Sequence, residues 1–121
     1  MPKFAKIIFP QGFDDRAADE ITMKGWANVI IEMDAGDYYS VYFFDPVRAG
    51  QELEYSVQNG GGYFTEQGVV VLIPDVTVDA IVKVASLLLK SGYQAYWKSV
   101  QPEEWFRSDQ ANRYDQKITY E

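Results

Sequence analysis

The stretch ITMKGWANVIIEMDAGDYYSVYFF, from Ile21 to Phe44, decides how the rest of the chain must be arranged. Two apolar and aromatic runs flank Asp34-Ala35-Gly36-Asp37, which is the pattern of a β-hairpin. Successive strand residues point to opposite faces, so a half-buried strand reads with period two. In the first arm Ile21, Met23, Ala27, Val29, Ile31 and Met33 form one apolar file, with Thr22, Lys24, Asn28 and Glu32 on the other face beside Trp26 and Ile30. One strand accommodates the whole run from Ile21 to Met33.

Loop length sets which residues of the second arm share the apolar face. A two-residue loop at Ala35-Gly36 would oppose two carboxylates, Asp34 and Asp37, and bring Ser40 into the apolar file. A three-residue loop, Asp34-Ala35-Gly36, places glycine at the left-handed position of a type I turn with a G1 bulge, where a Cβ would clash. It also aligns Val29, Ile31 and Met33 with Tyr39, Val41 and Phe43. The three-residue loop is therefore expected. Its other face then carries Tyr38, Ser40, Tyr42 and Phe44, more aromatic than a solvated surface requires, so a covering element or partner is expected there.

Around this hairpin, Lys3 to Phe9 reads as a first strand closed by Pro10-Gln11-Gly12, and Phe13 to Glu20 as a loop or one short helical turn. Asp45-Pro46-Val47-Arg48 has the form of a helix start, aspartate capping the free N–H groups and proline losing nothing at the first helical position. The helix should end at Asn59-Gly60, with Ala49, Leu53 and Val57 at four-residue spacing; Leu53, Tyr55 and Val57 also alternate as in a strand, but the cap favours helix. Val69 to Ile73 is continuously apolar between Gly68 and Pro74, and is expected as a central strand buried on both faces. Thr77 caps a second helix from Val78 to about Ser91, with Val78, Ile81, Val82, Ala85, Leu88 and Leu89 facing the core. Tyr93 to Ser99 alternates and reads as a returning strand, parallel to Val69–Ile73. After Gln101 the chain turns polar, as a partly ordered tail or one that docks on a partner. The expected fold is α+β: one domain over residues 1–100, a mainly antiparallel sheet with two helices on one face, and a tail over 101–121.

The 121 residues are 47% apolar and 16% aromatic, enough for one core without staples. There is no cysteine, which excludes disulfides, thiolate metal sites and cysteine nucleophiles. There is also no histidine, the usual general base near neutral pH. A net charge of −7 disfavours nucleic acid and anionic membrane, whose binding depends on cations displacing counterions. The amino-terminal apolar run is too short for a signal peptide, and the expected location is cytoplasmic.

Three motifs invite chemistry and do not sustain it. The cluster Asp14, Asp15, Asp19 and Glu20 lacks the spacing of a calcium loop, so no metal site is assigned. Gly60-Gly61-Gly62 is not followed by the lysine, hydroxyl residue and helix of a phosphate loop. Asp34 and Asp37 belong to a turn rather than to a pair of catalytic acids. No cofactor and no catalytic residue are expected.

What remains is aromatic and acidic. Nine tyrosines and three tryptophans fit a protein interface, because these side chains bury area while keeping a polar handle. The candidate binding residues are Tyr38, Tyr42, Phe44, Asp45, Arg48 and Tyr63, where the hairpin runs into the helix and the triglycine segment follows. The leading expectation is a small, acidic, soluble, non-enzymatic protein-interaction module. Its partner would be a second copy, as a homodimer, or a basic protein, as with inhibitor and immunity proteins. The alternative is a small-ligand-binding protein or enzyme with its site between the aromatic hairpin face and the triglycine loop.

Overall fold

A computed structural model describes residues 3–106 and 112–120. It is an α+β fold built on one five-stranded mixed sheet with three helices. Strands β1 (Lys3–Ile8), β2 (Trp26–Met33), β3 (Tyr38–Phe44), β4 (Val69–Leu72) and β5 (Gln116–Tyr120) lie in the order β4-β3-β2-β1-β5. All neighbours are antiparallel except β3 and β4, which are parallel. Helices α1 (Asp15–Lys24), α2 (Pro46–Gln58) and α3 (Val78–Lys90) fill the connections.

The hairpin has the expected register, with Val29 opposite Val41 and Ile31 opposite Tyr39. Its turn spans Asp34 to Gly36, and Gly36 adopts φ +96. The Gly36 N–H donates to the Met33 carbonyl at 2.9 Å, and the Met33 N–H to the Asp37 carbonyl at 2.8 Å. This register puts Ala5, Ile7, Ala27, Val29, Ile31, Val41, Phe43 and Ile118 on one face, all buried. Ile21 of α1 and Ile81, Ala85 and Leu89 of α3 complete the core over that face.

The first arm is shorter than its alternation implies. Ile21 to Lys24 belong to α1, and only Trp26 onward is strand. Asp14, extended at φ −134, accepts the Ala17 N–H at 2.9 Å and starts the helix where only a loop or short turn is expected. Gly25, left-handed at φ +77, ends it. Met23 is then 85% exposed instead of sharing the apolar file. Ile21 is buried in either conformation, so its apolarity does not discriminate helix from strand.

Three further elements differ from expectation. Val69–Leu72 is an edge strand, with Val70 38% and Leu72 61% exposed, not a central one. A run of valines suits a strand buried on both faces, but here the α2 crossover leaves the outer face open. Tyr93–Tyr96 is a 3-10 turn after Gly92, not a strand beside β4. The fifth strand comes instead from the polar segment after Gln101: β5 pairs with β1 and buries Ile118 and Tyr120. Its alternation of polar and apolar residues is that of an edge strand with one wet face.

Helix α3 follows the expected pattern, capped by the Thr77 hydroxyl accepting the Ala80 N–H at 3.1 Å. Helix α2 has the expected cap and limits but buries none of its side chains, while Leu53 and Val57 face solvent. The helices that supply the core are thus α1 and α3.

The two helix–strand junctions meet at Gly25. Its carbonyl accepts the Asp45 N–H at 2.8 Å, and a Cβ there would stand 2.6 Å from an Asp45 carboxylate oxygen. At Gly36 nothing lies within 4 Å of such a Cβ. Gly36→Ala should therefore cost about 1 kcal/mol, from left-handed strain alone, and Gly25→Ala about 2 kcal/mol or more, from strain plus displacement of the α2 cap. Urea denaturation of the two variants checks this order; equal losses would mean that Asp45 yields freely.

Candidate functional site

The outward face of β2 and β3 carries Trp26, Asn28 and Ile30 beside Tyr38, Ser40, Tyr42 and Phe44. Three of these rings form a stacked row, Trp26 to Phe44 at 6.3 Å and Tyr42 to Phe44 at 6.5 Å between centroids. The same chain covers the row in part. Phe64 packs edge-on against Phe44 at 4.9 Å. The Val100 N–H donates to the Tyr38 carbonyl at 2.8 Å, drawing the segment toward Pro102 and Phe106, both buried. Trp105 is held by its carbonyl, which accepts the Gln11 N–H.

What stays open is a recess of about 410 Å³ at the end of β2. Trp26, Tyr42, Trp105 and Phe106 are aromatic walls, and Ala17 and Ile21 of α1 close the other side. The Asn28 amide lies across β3, donating to the Ser40 hydroxyl and the Val41 carbonyl, both at 3.0 Å. Burial raises the Tyr42 hydroxyl above the ordinary tyrosine range, and the carboxylates of Glu66 and Glu103 push it further; a hydrogen bond with Ser40 acts against them. Burial likewise raises Glu66, with a smaller contribution from Glu52.

Glu66 and Glu103 differ from Glu52 and Glu20 in their pairing. Glu52 has Arg48 at 2.8 Å, and Glu20 has Arg16 at 3.1 Å and Lys24 at 3.5 Å. Among the described residues no cation pairs with Glu66 or Glu103. The charged residues that line the recess, Glu20 and Lys24, pair with each other. Glu66 and Glu103 do not line it but act on its Tyr42 wall, so a cation against these rings gains from both the ring faces and that charge.

The residues singled out in the sequence are dispersed. Tyr42 lines the recess. Tyr38 lies farther along the strand, at a wider hollow lined also by Lys6, Glu32 and Pro102. Phe44 is buried in the row. Asp45 caps α2, accepting the Arg48 N–H at 2.7 Å, and Arg48 pairs with Glu52 and reaches the Lys24 carbonyl at 3.4 Å. Tyr63 is 67% exposed, its N–H facing the Ser56 hydroxyl at 3.3 Å. Phe64, directly after it, occupies the hairpin side of the triglycine segment. Sequence reasoning missed Trp26 and Trp105 as walls of one recess, and Glu66 and Glu103 as carboxylates that act on its Tyr42. Only the unusual frequency of aromatics hinted at the first two, because the long-range fold brings them together. Among the described residues no group of three or more carboxylates is placed to hold a metal ion, and no helix is long and apolar enough to cross a membrane.

The raised Glu66 carboxyl has a signed consequence. Its protonated form is favoured by folding, so this group's contribution to stability is complete below its ordinary value of 4.5 and is lost as pH rises through its raised value. Glu66→Gln should therefore be more stable than the parent at neutral pH, by a fraction of a kcal/mol because the group is largely solvated. The difference should vanish by about pH 3, where the parent carboxyl is protonated too. Thermal melts across that range check it, and a less stable variant at neutral pH would refute it. Comparison of the chain with protein-family models, with curated proteins and with solved structures finds no match.

Proposed function

We propose that this protein is a non-enzymatic interaction module that binds a basic partner protein, seating a cationic side chain in the recess between Trp26, Tyr42 and Trp105. The observation that carries the reading is the set of aromatic walls, Trp26, Tyr42 and Trp105; Tyr42 also feels Glu66 and Glu103, two carboxylates that pair with no described cation. A net charge of −7 adds a field that speeds encounter with a positive partner. Trp105, half exposed at the rim, has the character of an interface anchor. The absence of histidine and cysteine from the sequence leaves only less usual catalytic groups, which supports binding over catalysis.

Site-specific photo-crosslinking tests this. A crosslinking residue at Trp105 should capture a protein of high isoelectric point from the source cell, and one at Asp79 on α3 should not. Once purified, that partner should bind at least tenfold more weakly when salt rises from about 50 to 300 mM, or when Glu66→Gln and Glu103→Gln are combined. Equal capture from Asp79, capture of acidic proteins alone, or binding indifferent to salt would overturn the reading.

A second reading, self-association, has its own observation. Helix α2 exposes Val47, Leu53, Tyr55 and Val57, and the edge strand β4 exposes Leu72. Apolar side chains in that number on one crossover unit invite a partner surface. Because two copies would each carry −7, the dimer should strengthen with salt, opposite to the hetero-complex. Light scattering at about 50 and 500 mM salt should show the dimer fraction rising, and Leu53→Asp with Val57→Asp should abolish it. A monomer at all salt concentrations refutes this reading.

A further inference from the structure

The recess has a floor of backbone as well as walls of side chains. In an antiparallel ladder, the residues of a strand alternate in which neighbour they bond. Met33 bonds toward β3 through its N–H to Asp37, and Gly25 through its carbonyl from Asp45, both at 2.8 Å. The odd positions of β2 therefore serve β3, and the even ones, Glu32, Ile30, Asn28 and Trp26, face β1. The last pair of the β1–β2 ladder is Ile8 with Ile30. Continuing the register, the residue due opposite Asn28 is Pro10, which has no N–H to give. Its carbonyl is engaged elsewhere, accepting from the Phe13 N–H at 3.0 Å and the Asn112 amide at 3.2 Å.

Proline thus ends the ladder early and turns the chain away from β2. The N–H and C=O of Asn28 and Trp26 are left facing the recess, with no hydrogen-bond partner among the described residues. Unpaired strand edge is ordinarily a liability that proteins cover or blunt. Here it lies inside a cavity whose room, about 410 Å³, suits a short stretch of extended chain.

We propose that a partner's extended segment adds to the sheet against Trp26–Asn28, in the lane that β1 vacates at Pro10, with a lysine or arginine opposite Asn28. This rests on the reading of the recess as the seat of a cationic side chain, and adds how the partner's backbone is held. Alternation then specifies the segment. The residue opposite Asn28 projects to the same face as Tyr42, where the rings of Trp26, Tyr42 and Trp105 offer their faces to a cation. Its two neighbours project toward Ala17, Ile21 and Ala27, which favour small or β-branched apolar side chains. The motif is apolar-cation-apolar in extended conformation.

The test is a titration of the isotope-labelled full chain with acetyl-Thr-Val-Arg-Val-Thr-amide, read by amide shifts and hydrogen exchange. Binding should saturate, and the Asn28 and Trp26 amides should exchange at least tenfold more slowly. N-methylation of the peptide's arginine, which repeats the loss that Pro10 imposes, should weaken binding at least tenfold. N-methylation of the valine after it, whose N–H points away from β2, should change affinity less than threefold. Replacing the arginine by glutamate should weaken binding at least tenfold.

Saturable binding with Asn28 still exchanging freely, or equal affinity for the two N-methylated peptides, would overturn strand addition. If no extended peptide binds while the crosslinked basic partner still does, strand addition fails and the recess keeps its assigned role. If neither binds, both fail.

Discussion

The register between β2 and β3 is the constraint on which the other elements depend. Side chains on a strand alternate faces, so a slip of one residue would send Val29, Ile31, Val41 and Phe43 outward and bring Asn28, Glu32 and Ser40 into the core. Gly36 holds that register by taking a backbone conformation unfavourable to other residues. Helices α1 and α3 can seal the sheet only because one of its faces is uniformly apolar, and the row Trp26, Phe44, Tyr42 exists only because the same register places those rings on the opposite face.

Gly25 is the second point of leverage. It ends α1, begins β2, and accepts the backbone of Asp45 where β3 becomes α2. Helix α2 is thereby anchored through its cap and through Arg48, not through a buried apolar stripe. Such anchoring leaves the apolar side chains of α2 available at the surface. The fold stores its stability between the sheet and α1 and α3, and leaves the β3–α2–β4 corner and the recess at the end of β2 comparatively open.

The recess itself arises from competing demands on β1. Its odd residues serve β5, its even ones serve β2, and Phe9 continues the first pattern by donating to the Asp115 carboxylate at 2.8 Å. Pro10 cannot continue the second. The aromatic cluster of Phe9, Phe13 and Tyr114 then draws the chain toward the β5 side, with Tyr114 also bonded to Asp15 at the start of α1. A gap next to β2 follows, and Trp105 and Phe106 roof it instead of filling it.

From residue order alone, the local determinants were decisive wherever the signal was short-range: the hairpin turn and register, the caps at Asp45 and Thr77, and the glycine stops are set by steric and hydrogen-bonding preferences within a few residues. Elements whose state depends on distant neighbours were not legible. Ile21 suits a helix or a strand, and Asp14 with Gly25 selects helix. Val69–Leu72 is apolar enough for a central strand, yet among the described residues only β3 flanks it. The polar stretch ending in Ile118 and Tyr120 becomes a strand because β1 offers an unpaired edge far away in sequence. The recess belongs to this second class: Trp26, Tyr42, Trp105 and Phe106 carry no common motif, and only the closing of long loops, which no local preference encodes, places them around one cavity.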